Sequence, residues 1–162
     1  MGHELHIVTT EDKAEKYANL LPQIKALVEG EKDLIANLAN IASALKYAME
    51  FFWVGFYLVK GSEFVLGFFQ GPPACTRIAK GKGVCGTAWF KRESIIVDDV
   101  DTFPGHISCN SGSKSEIVLP IMHNNEVIMV LDVDSDEHAH FNSIDEEYLG
   151  EIRSLIQQKL LA

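Results

Sequence analysis

The chain has 162 residues, 47% of them hydrophobic, which is enough for one domain with a sizeable core and no disulfide staples. A formal net charge of -9 argues against nucleic acid and anionic membranes as partners, because both attract basic surfaces. The chain does not begin with a basic segment followed by an apolar stretch, and no apolar run approaches the roughly 18 residues of a membrane span. We therefore expect a single cytoplasmic domain over residues 1–162.

Two helices are predicted in the first 50 residues. Thr10 is expected to cap the first helix, with two acidic residues in the opening turn, and Gly30 to end it. Pro22 is expected to kink or split this helix, because proline removes a backbone hydrogen bond. Apolar residues at helical spacing from Leu34 to Ala48 predict the second helix.

Two β-hairpins and a closing helix are predicted further along the chain. Apolar and aromatic runs on either side of short polar loops pair Phe52–Val59 with Glu63–Phe69, and Glu116–Met122 with Val127–Asp134. Asn142 is expected to cap an amphipathic C-terminal helix. Helices around a mostly antiparallel sheet indicate an α+β domain.

The middle of the chain, residues 71–115, is predicted to be mainly irregular. Only a short helix at Gly86–Phe90 and a short strand at Ser94–Val97 are expected there. A loop region of this length is unusual in a compact domain unless it carries function.

All three cysteines of the chain lie in this middle segment. Cys75, Cys85 and Cys109 each stand in a glycine-rich turn or helix start, a setting that differs from that of a core cysteine. In a reducing compartment such cysteines are more often catalytic, redox-active or metal-binding than structural. A helix start could favour the thiolate of Cys85, and His106 or Lys114 could favour that of Cys109. Zinc held by the cysteines and His106 is less favoured, because no close cysteine pair is present.

Three carboxyl groups are expected on one face of the second hairpin. Asp132 and Asp134 alternate along one strand and would share a face with Ile128 and Val130. Glu116 would face Asp134 across a three-residue loop, which the two asparagines of the loop favour, but a two-residue loop would turn it away. Each acid alone could be a solvated strand end. Together they could bind an ammonium group, chelate a hard cation, or keep one carboxyl group protonated.

Two aromatic residues of the first hairpin are also predicted to share a face. Trp53 and Tyr57 are four residues apart on one strand, so their side chains point the same way. They could be ordinary core residues, or the wall of a pocket for a small apolar or sulfur-containing group.

Six segments of the chain form a joint pattern with the three cysteines. The segments are Trp53-Val-Gly-Phe-Tyr57, Leu66-Gly-Phe-Phe-Gln-Gly71, Gly81-Lys-Gly-Val-Cys-Gly-Thr87, Pro104-Gly-His-Ile-Ser-Cys109, Ser115-Glu-Ile-Val-Leu-Pro120 and Leu131-Asp-Val-Asp-Ser135. Together they resemble the free methionine-(R)-sulfoxide reductase family, over nearly the whole chain. The joint match, including the spacing of the three cysteines, is more specific than general similarity to GAF domains.

The resemblance implies a single GAF-type catalytic domain with its N- and C-terminal helices on one side of the sheet and a loop-enclosed pocket on the other. It implies that Cys109 attacks the sulfoxide and becomes a sulfenic acid, that Cys75 resolves it as a disulfide, and that Cys85 is an auxiliary thiol. Thioredoxin would restore the thiols, with no bound cofactor or metal. A homodimer is left open, and the alternative function is a ligand- or redox-sensing GAF module without turnover.

The resemblance also implies a substrate site. The acids would contact the ammonium group and the sulfoxide oxygen of free methionine-(R)-sulfoxide, and the aromatic residues would enclose its methylsulfinyl end. These residues are Glu116, Asp132, Asp134, Trp53 and Tyr57. The sequence departs from the family pattern at Pro72-Pro73, where a basic and an aliphatic residue are expected, and at Asn110, where aspartate is usual.

Overall fold

A computed structural model describes residues 4–161, so both ends of the predicted 1–162 domain lie outside the described residues. The described chain contains four α-helices and six strands, with a short 3-10 turn at Val100–Thr102 and a π-helical turn at Ile156–Leu160. In chain order the elements are α1 Lys13–Glu29, α2 Leu34–Met49, β1 Trp53–Lys60, β2 Glu63–Gln70, β3 Arg77–Ala79, α3 Gly83–Lys91, β4 Ile95–Val97, β5 Ser115–His123, β6 Glu126–Ser135 and α4 Ser143–Leu155.

The six strands form one sheet in the order β3-β2-β1-β6-β5-β4. Every neighbouring pair is antiparallel, which confirms the predicted sheet type and both predicted hairpins. The central strands β1, β6 and β5 have long buried runs, as expected where both faces of a sheet are covered.

The sheet separates two layers of the molecule. One face packs against α1, α2 and α4, and side chains such as Leu119, Leu131 and Val133 contribute to this larger core. The other face packs against α3 and the loops of the middle segment, where Val118 and Val130 belong to a second, smaller cluster. The predicted arrangement, helices on one side and a loop-enclosed pocket on the other, is confirmed. Among residues 4–161, no helix combines the length and apolarity needed to cross a membrane.

The N-terminal helices match the prediction except for the residue that caps α1. The side chain of Asp12, and not that of Thr10, caps α1 by accepting hydrogen bonds from the first-turn amides. Pro22 does not split α1, which continues to Glu29 before Gly30. Buried side chains on both sides of the proline, including Leu21 and Ile24, pack in the helix-side core and offset the lost backbone hydrogen bond.

The C-terminal helix begins as predicted and is tied to the N-terminal helix. Asn142 caps α4 in a capping box with Asp145. Asp145 is fully buried and accepts hydrogen bonds from the Tyr17 hydroxyl and the Lys13 ammonium group, both at 2.6 Å. The Asp145 carboxylate therefore joins α4 to α1 on the helix side of the sheet.

The middle segment is more regular than predicted. Helix α3 begins three residues earlier than expected, at Gly83, and the additional strand β3 pairs with the start of β2. An Arg77–Glu63 ion pair at 2.6 Å accompanies this pairing. The sequence signal for β3 is weak because the strand has only three residues and one buried side chain, Ile78.

The second hairpin reaches the predicted register by a different route. Its loop has two residues, Asn124 and Asn125, whose φ angles of 50° and 63° match the left-handed conformation of a type I′ turn. A β-bulge follows, because Met122 pairs with Val127 whereas Ile121 pairs with Met129. The extra residue of the bulge restores the register that a two-residue loop alone would have changed.

The bulge also corrects one predicted side-chain direction. Ile128, the residue skipped in the pairing, packs against the helix-side core and does not share a face with Val130. Beyond the bulge, the alternation along β6 proceeds as predicted, with Asp132 and Asp134 on the side of the sheet away from the helices.

Candidate active site

A cavity lies between the sheet and the loops that cover its second face. The floor is formed by β1, β5 and β6, and the walls by α3 and by the segments around Cys75 and Cys109. It contains every predicted catalytic or substrate-binding residue except Cys75, which packs beside it. The lining residues are Phe52, Trp53, Tyr57, Ala74, Ile78, Gly83, Val84, Cys85, His106, Ile107, Cys109, Asn110, Ser113, Glu116, Asp132 and Asp134.

The three predicted carboxyl groups meet on the floor of this cavity. Glu116 on β5 pairs directly with Asp134 on β6, and Asp132 lies two residues away on the same face. Glu116 and Asp132 are only 6% and 5% exposed, and Asp134 is half-buried. These acids are therefore not solvated strand ends.

Burial and mutual repulsion favour the protonated forms of these acids. Burial is the main cause that raises the pKa of Glu116, and the negative charges of Asp132 and Asp134 raise it further. The pKa of Asp134 is raised in the same way, although a hydrogen bond from the Ser113 hydroxyl opposes the shift. Burial also raises the pKa of Asp132, whose Oδ1 atom is buried without a hydrogen-bond partner. The cavity can therefore hold at least one neutral carboxylic acid that is able to donate a proton.

The raised pKa values predict a stability cost at high pH. Above about pH 4, where unfolded carboxyl groups ionise, the folded chain retains more protons than the unfolded chain, so stability falls as pH rises. Replacing Glu116 with glutamine should increase the free energy of unfolding at pH 8 by at least about 1 kcal/mol, because buried ions carry desolvation penalties of several kcal/mol. At pH 4.5 this increase in the free energy of unfolding should be smaller, because Glu116 then carries its proton in the folded protein.

Urea unfolding of both proteins at the two pH values, with EDTA present, measures this difference. Glu126→Gln on the exposed end of β6 is the matched control and should change stability little at either pH. A Glu116→Gln protein less stable than the natural one at pH 8 would contradict the assigned electrostatics.

The two aromatic residues form one wall of the cavity. Trp53 and Tyr57 stack with ring centroids 6.0 Å apart. In the pairing of β1 with β6, Trp53 is opposite Asp134 and Tyr57 is opposite Val130. Gly55 stands between them, opposite Asp132; a Cβ atom there would lie 2.8 Å from the Trp53 ring and 2.4 Å from the Phe69 Cβ atom. The missing side chain thus allows the tryptophan to lie flat beside the acids.

Both aromatic side chains also hold the loop that carries Cys75. The Trp53 indole donates a hydrogen bond to the Pro72 carbonyl oxygen at 3.1 Å, and the Tyr57 hydroxyl donates one to the Cys75 carbonyl oxygen at 2.9 Å. Burial is the main cause that raises the pKa of Tyr57, with a further contribution from Asp132, so its hydroxyl remains a donor. The Pro72-Pro73 departure lies in this anchored loop.

Two of the three cysteines are joined in a disulfide. Cys75 and Cys109 are 34 residues apart in sequence, and their Cα atoms lie 5.1 Å apart beside the cavity. This is the pair that the family resemblance implies. It also excludes the alternative zinc site in this state of the protein, because two of the required sulfur atoms are bonded to each other.

The third cysteine differs from what its sequence setting indicated. Cys85 lies in the first turn of α3, but it is only 3% exposed and belongs to the cluster packed on the sheet. Burial, followed by the negative charges of Asp132 and Glu116, raises its pKa well above the usual value. Its sulfur lies 3.9 Å from Oε1 of Glu116. The predicted thiolate is therefore wrong for this state of the protein, and Cys85 is a buried neutral thiol.

Of the two residues predicted to lie near Cys109, His106 lines the cavity with it and Lys114 does not. His106 lines the cavity, and its partial burial lowers its pKa, so the ring is neutral more often than a free histidine. Lys114 is absent from the lining; its backbone joins Ser135 and Val100. The Asn110 side chain accepts a hydrogen bond from the Gly112 amide at 2.8 Å and so shapes the turn after the cysteine.

Sequence reasoning missed several other residues of the cavity, among them Ser113, Phe52 and Ile107. Ser113 donates a hydrogen bond to Asp134, and Phe52 and Ile107 contribute apolar surface. Ile107 is 37% exposed and approaches Gly83 at the start of α3. Ile107 lies in the Pro104–Cys109 segment that carries the family resemblance, but neither Ser113 nor Phe52 has a spacing or a motif that indicates a site residue.

An antiparallel sheet with helices on one face, and with a disulfide and acids under loops on the other, places the protein in the class of GAF domains. The family model of the GAF domain matches residues 29–160. The chain is 57% identical to GAF domain-containing protein A of Dictyostelium discoideum, covering 96% of this chain and 99% of that protein.

Two further comparisons define the family within that class. The chain is 43% identical to the free methionine-R-sulfoxide reductase of Escherichia coli, covering 92% of this chain and 91% of that protein. It also matches the X-ray structure of the free methionine-R-sulfoxide reductase from Neisseria meningitidis in complex with its substrate, with a TM-score of 0.95, 49% identity, and coverage of 98% and 96%. The chain belongs to the free methionine-(R)-sulfoxide reductase family.

Proposed function

We propose that this protein reduces free methionine-(R)-sulfoxide to methionine as a single catalytic domain over residues 1–162. The observation that carries the proposal is that Cys109, joined to Cys75, lines the same cavity as three carboxyl groups, two of them buried and the third half-buried. Sulfoxide reduction needs both a sulfur nucleophile and a proton source, because the sulfoxide oxygen must leave as water. Reliance on free thiols fits a reducing cytoplasm.

The cavity offers a complementary surface to each part of the substrate. The carboxyl groups of Glu116, Asp132 and Asp134 would receive the ammonium group and the sulfoxide oxygen, and Trp53 and Tyr57 would enclose the methylsulfinyl end. The substrate carboxylate would be received at the start of α3, where first-turn amides have no intrahelical acceptor and Lys82 provides no side-chain cap.

The proposed reaction begins with attack of the Cys109 thiolate on the sulfoxide sulfur. A neutral carboxylic acid on the cavity floor protonates the oxygen, which is transferred to Cys109 as a sulfenic acid while methionine leaves. The Cys75 thiol then attacks the sulfenic sulfur, so that water leaves and the Cys75–Cys109 disulfide forms. A dithiol such as thioredoxin reduces this disulfide, and the two electrons of that dithiol balance the reduction of the sulfoxide.

Cys85 is proposed as an auxiliary thiol for disulfide exchange. Because it is 3% exposed in the disulfide form, such exchange requires a movement of α3 or of the loop around Cys109. The direct route from Cys75 to thioredoxin needs no such movement, since Cys75 is only partly buried.

The proposal is tested with both diastereomers of free methionine sulfoxide, thioredoxin, thioredoxin reductase and NADPH. We expect one NADPH to be consumed for each methionine formed from the R form, and no turnover of the S form. Binding of the R form without turnover, with either thioredoxin or dithiothreitol, would favour a sensing module instead. Turnover with dithiothreitol but not with thioredoxin would keep the reductase and exclude the proposed reductant.

A further inference from the structure

The cavity floor brings a thiol and two carboxyl groups from three different elements together. One ligand atom each from Cys85 on α3, Glu116 on β5 and Asp132 on β6 all lie within 4.8 Å of one another. All three residues are at least nine-tenths buried. The Oδ1 atom of Asp132 has no hydrogen-bond partner, although a buried carboxylate oxygen without one is energetically costly. The cluster therefore contains a buried acceptor that an incoming cation would satisfy.

The donor set selects a particular class of cation. A tetrahedral zinc ion binds sulfur at about 2.3 Å and carboxylate oxygen at about 2.0–2.2 Å, so its ligand atoms lie roughly 3.5 Å apart. The sulfur of Cys85 and Oε1 of Glu116 are already 3.9 Å apart, which requires only a small contraction. Magnesium and calcium need more ligands and only oxygen donors, so a site containing sulfur disfavours them.

We propose that Cys85, Glu116 and Asp132 form a binding site for a zinc-type divalent cation, whose fourth position opens into the cavity. The cation is an inhibitor and not a cofactor. Each ligand that carries a proton releases it to solvent as its bond to the metal forms, and no oxidation or reduction takes place. Because the cation uses the acids proposed to receive the substrate, zinc should compete with methionine-(R)-sulfoxide; this consequence alone rests on the proposed function.

The disulfide form allows an unambiguous test. With Cys75 and Cys109 bonded to each other, Cys85 is the free thiol of the chain. The oxidised protein is titrated with Co²⁺, a spectroscopic substitute for zinc, and the near-ultraviolet absorption of a cobalt–thiolate bond is followed. We expect saturation at one equivalent, and loss of the band when Zn²⁺ but not Mg²⁺ is added.

Variants decide whether this cluster is the site. Cys85→Ser should eliminate the cobalt–thiolate band. Both Cys85→Ser and Asp132→Asn should weaken zinc binding by at least about 100-fold, because the loss of a residue that only hydrogen-bonds to a metal ligand costs about 10- to 100-fold. Glu126→Gln should bind as the natural protein does. Circular dichroism checks that each variant is folded. If Cys85→Ser does not fold, the zinc affinity of Asp132→Asn alone decides the test.

Two outcomes would overturn the proposal: no cobalt–thiolate band in the natural oxidised protein, or unchanged zinc affinity in a folded variant. Cobalt binding requires no turnover, so a failure of the proposed reductase activity would leave this result unaffected. In the reduced enzyme, zinc should raise KM at unchanged kcat, and a fall in kcat at constant KM would contradict the shared use of the acids.

Discussion

Replacing Cys109 with serine is expected to lower kcat for free methionine-(R)-sulfoxide by at least about 1,000-fold, as loss of a nucleophile does in other enzymes. A serine hydroxyl stays protonated at neutral pH, and it cannot form the sulfenic acid or the disulfide that follow attack on sulfur. The variant should remain folded, because Cys109 lies in a loop outside both hydrophobic cores. The measurement is methionine formed per minute with excess reductant.

The matched control separates the nucleophile from the resolving thiol. Without any external reductant, reduced Cys75→Ser protein should still form about one equivalent of methionine, because attack by Cys109 precedes the step that needs Cys75. Reduced Cys109→Ser protein should form none. If instead Cys109→Ser gives one equivalent and Cys75→Ser gives none, the two roles are reversed.

Acetylation of the substrate nitrogen is expected to lower kcat/KM by at least about 10,000-fold. A binding site with buried polar partners discriminates by this order against an analogue that leaves those partners unpaired. N-acetylation removes the ammonium charge, so Glu116 and Asp132, at 6% and 5% exposure, would receive no cation from the substrate. The added acetyl group also has to fit beside them.

Free and N-acetylated methionine-(R)-sulfoxide are compared under the same conditions, with methionine quantified by chromatography. Similar kcat/KM values for the two substrates would contradict the pairing of ammonium and carboxyl groups. In that case the acids would serve proton transfer alone, and the protein would not discriminate in favour of the free amino acid.

Local alternation predicted the parts of the site that lie on strands. Trp53, Tyr57, Asp132 and Asp134 all lie on the predicted face, because the two-residue repeat of a strand depends only on the strand itself. The hairpins were predictable for the same reason. The prediction was wrong for Ile128, where a bulge interrupts the repeat without a glycine or proline to mark it.

Properties that depend on contacts between distant segments were not predictable in this way. The glycines around Cys85 indicated an accessible helix start, but the packing of α3 onto β5 and β6 buries the thiol next to two acids. The pairing of Cys75 with Cys109 followed from the family resemblance, because spacing alone does not specify which cysteines meet. Similarly, the neighbours of Ser113 in sequence do not mark it as a residue of the cavity.

Because of the bulge in the second hairpin, the position of Glu116 depends on whether the turn and the bulge together contain an odd or an even number of residues. Glu116 faces Asp134 because the two-residue turn and the one extra residue at Ile128 together add an odd number of residues between the paired strands. Removing one residue from either place would put Glu116 and Asp134 on opposite faces of the sheet, whereas removing one and inserting another would preserve the site. The hairpin can therefore change its turn in evolution only if the total stays odd, and its length constrains chemistry at Glu116, seven residues before the end of β5 at His123.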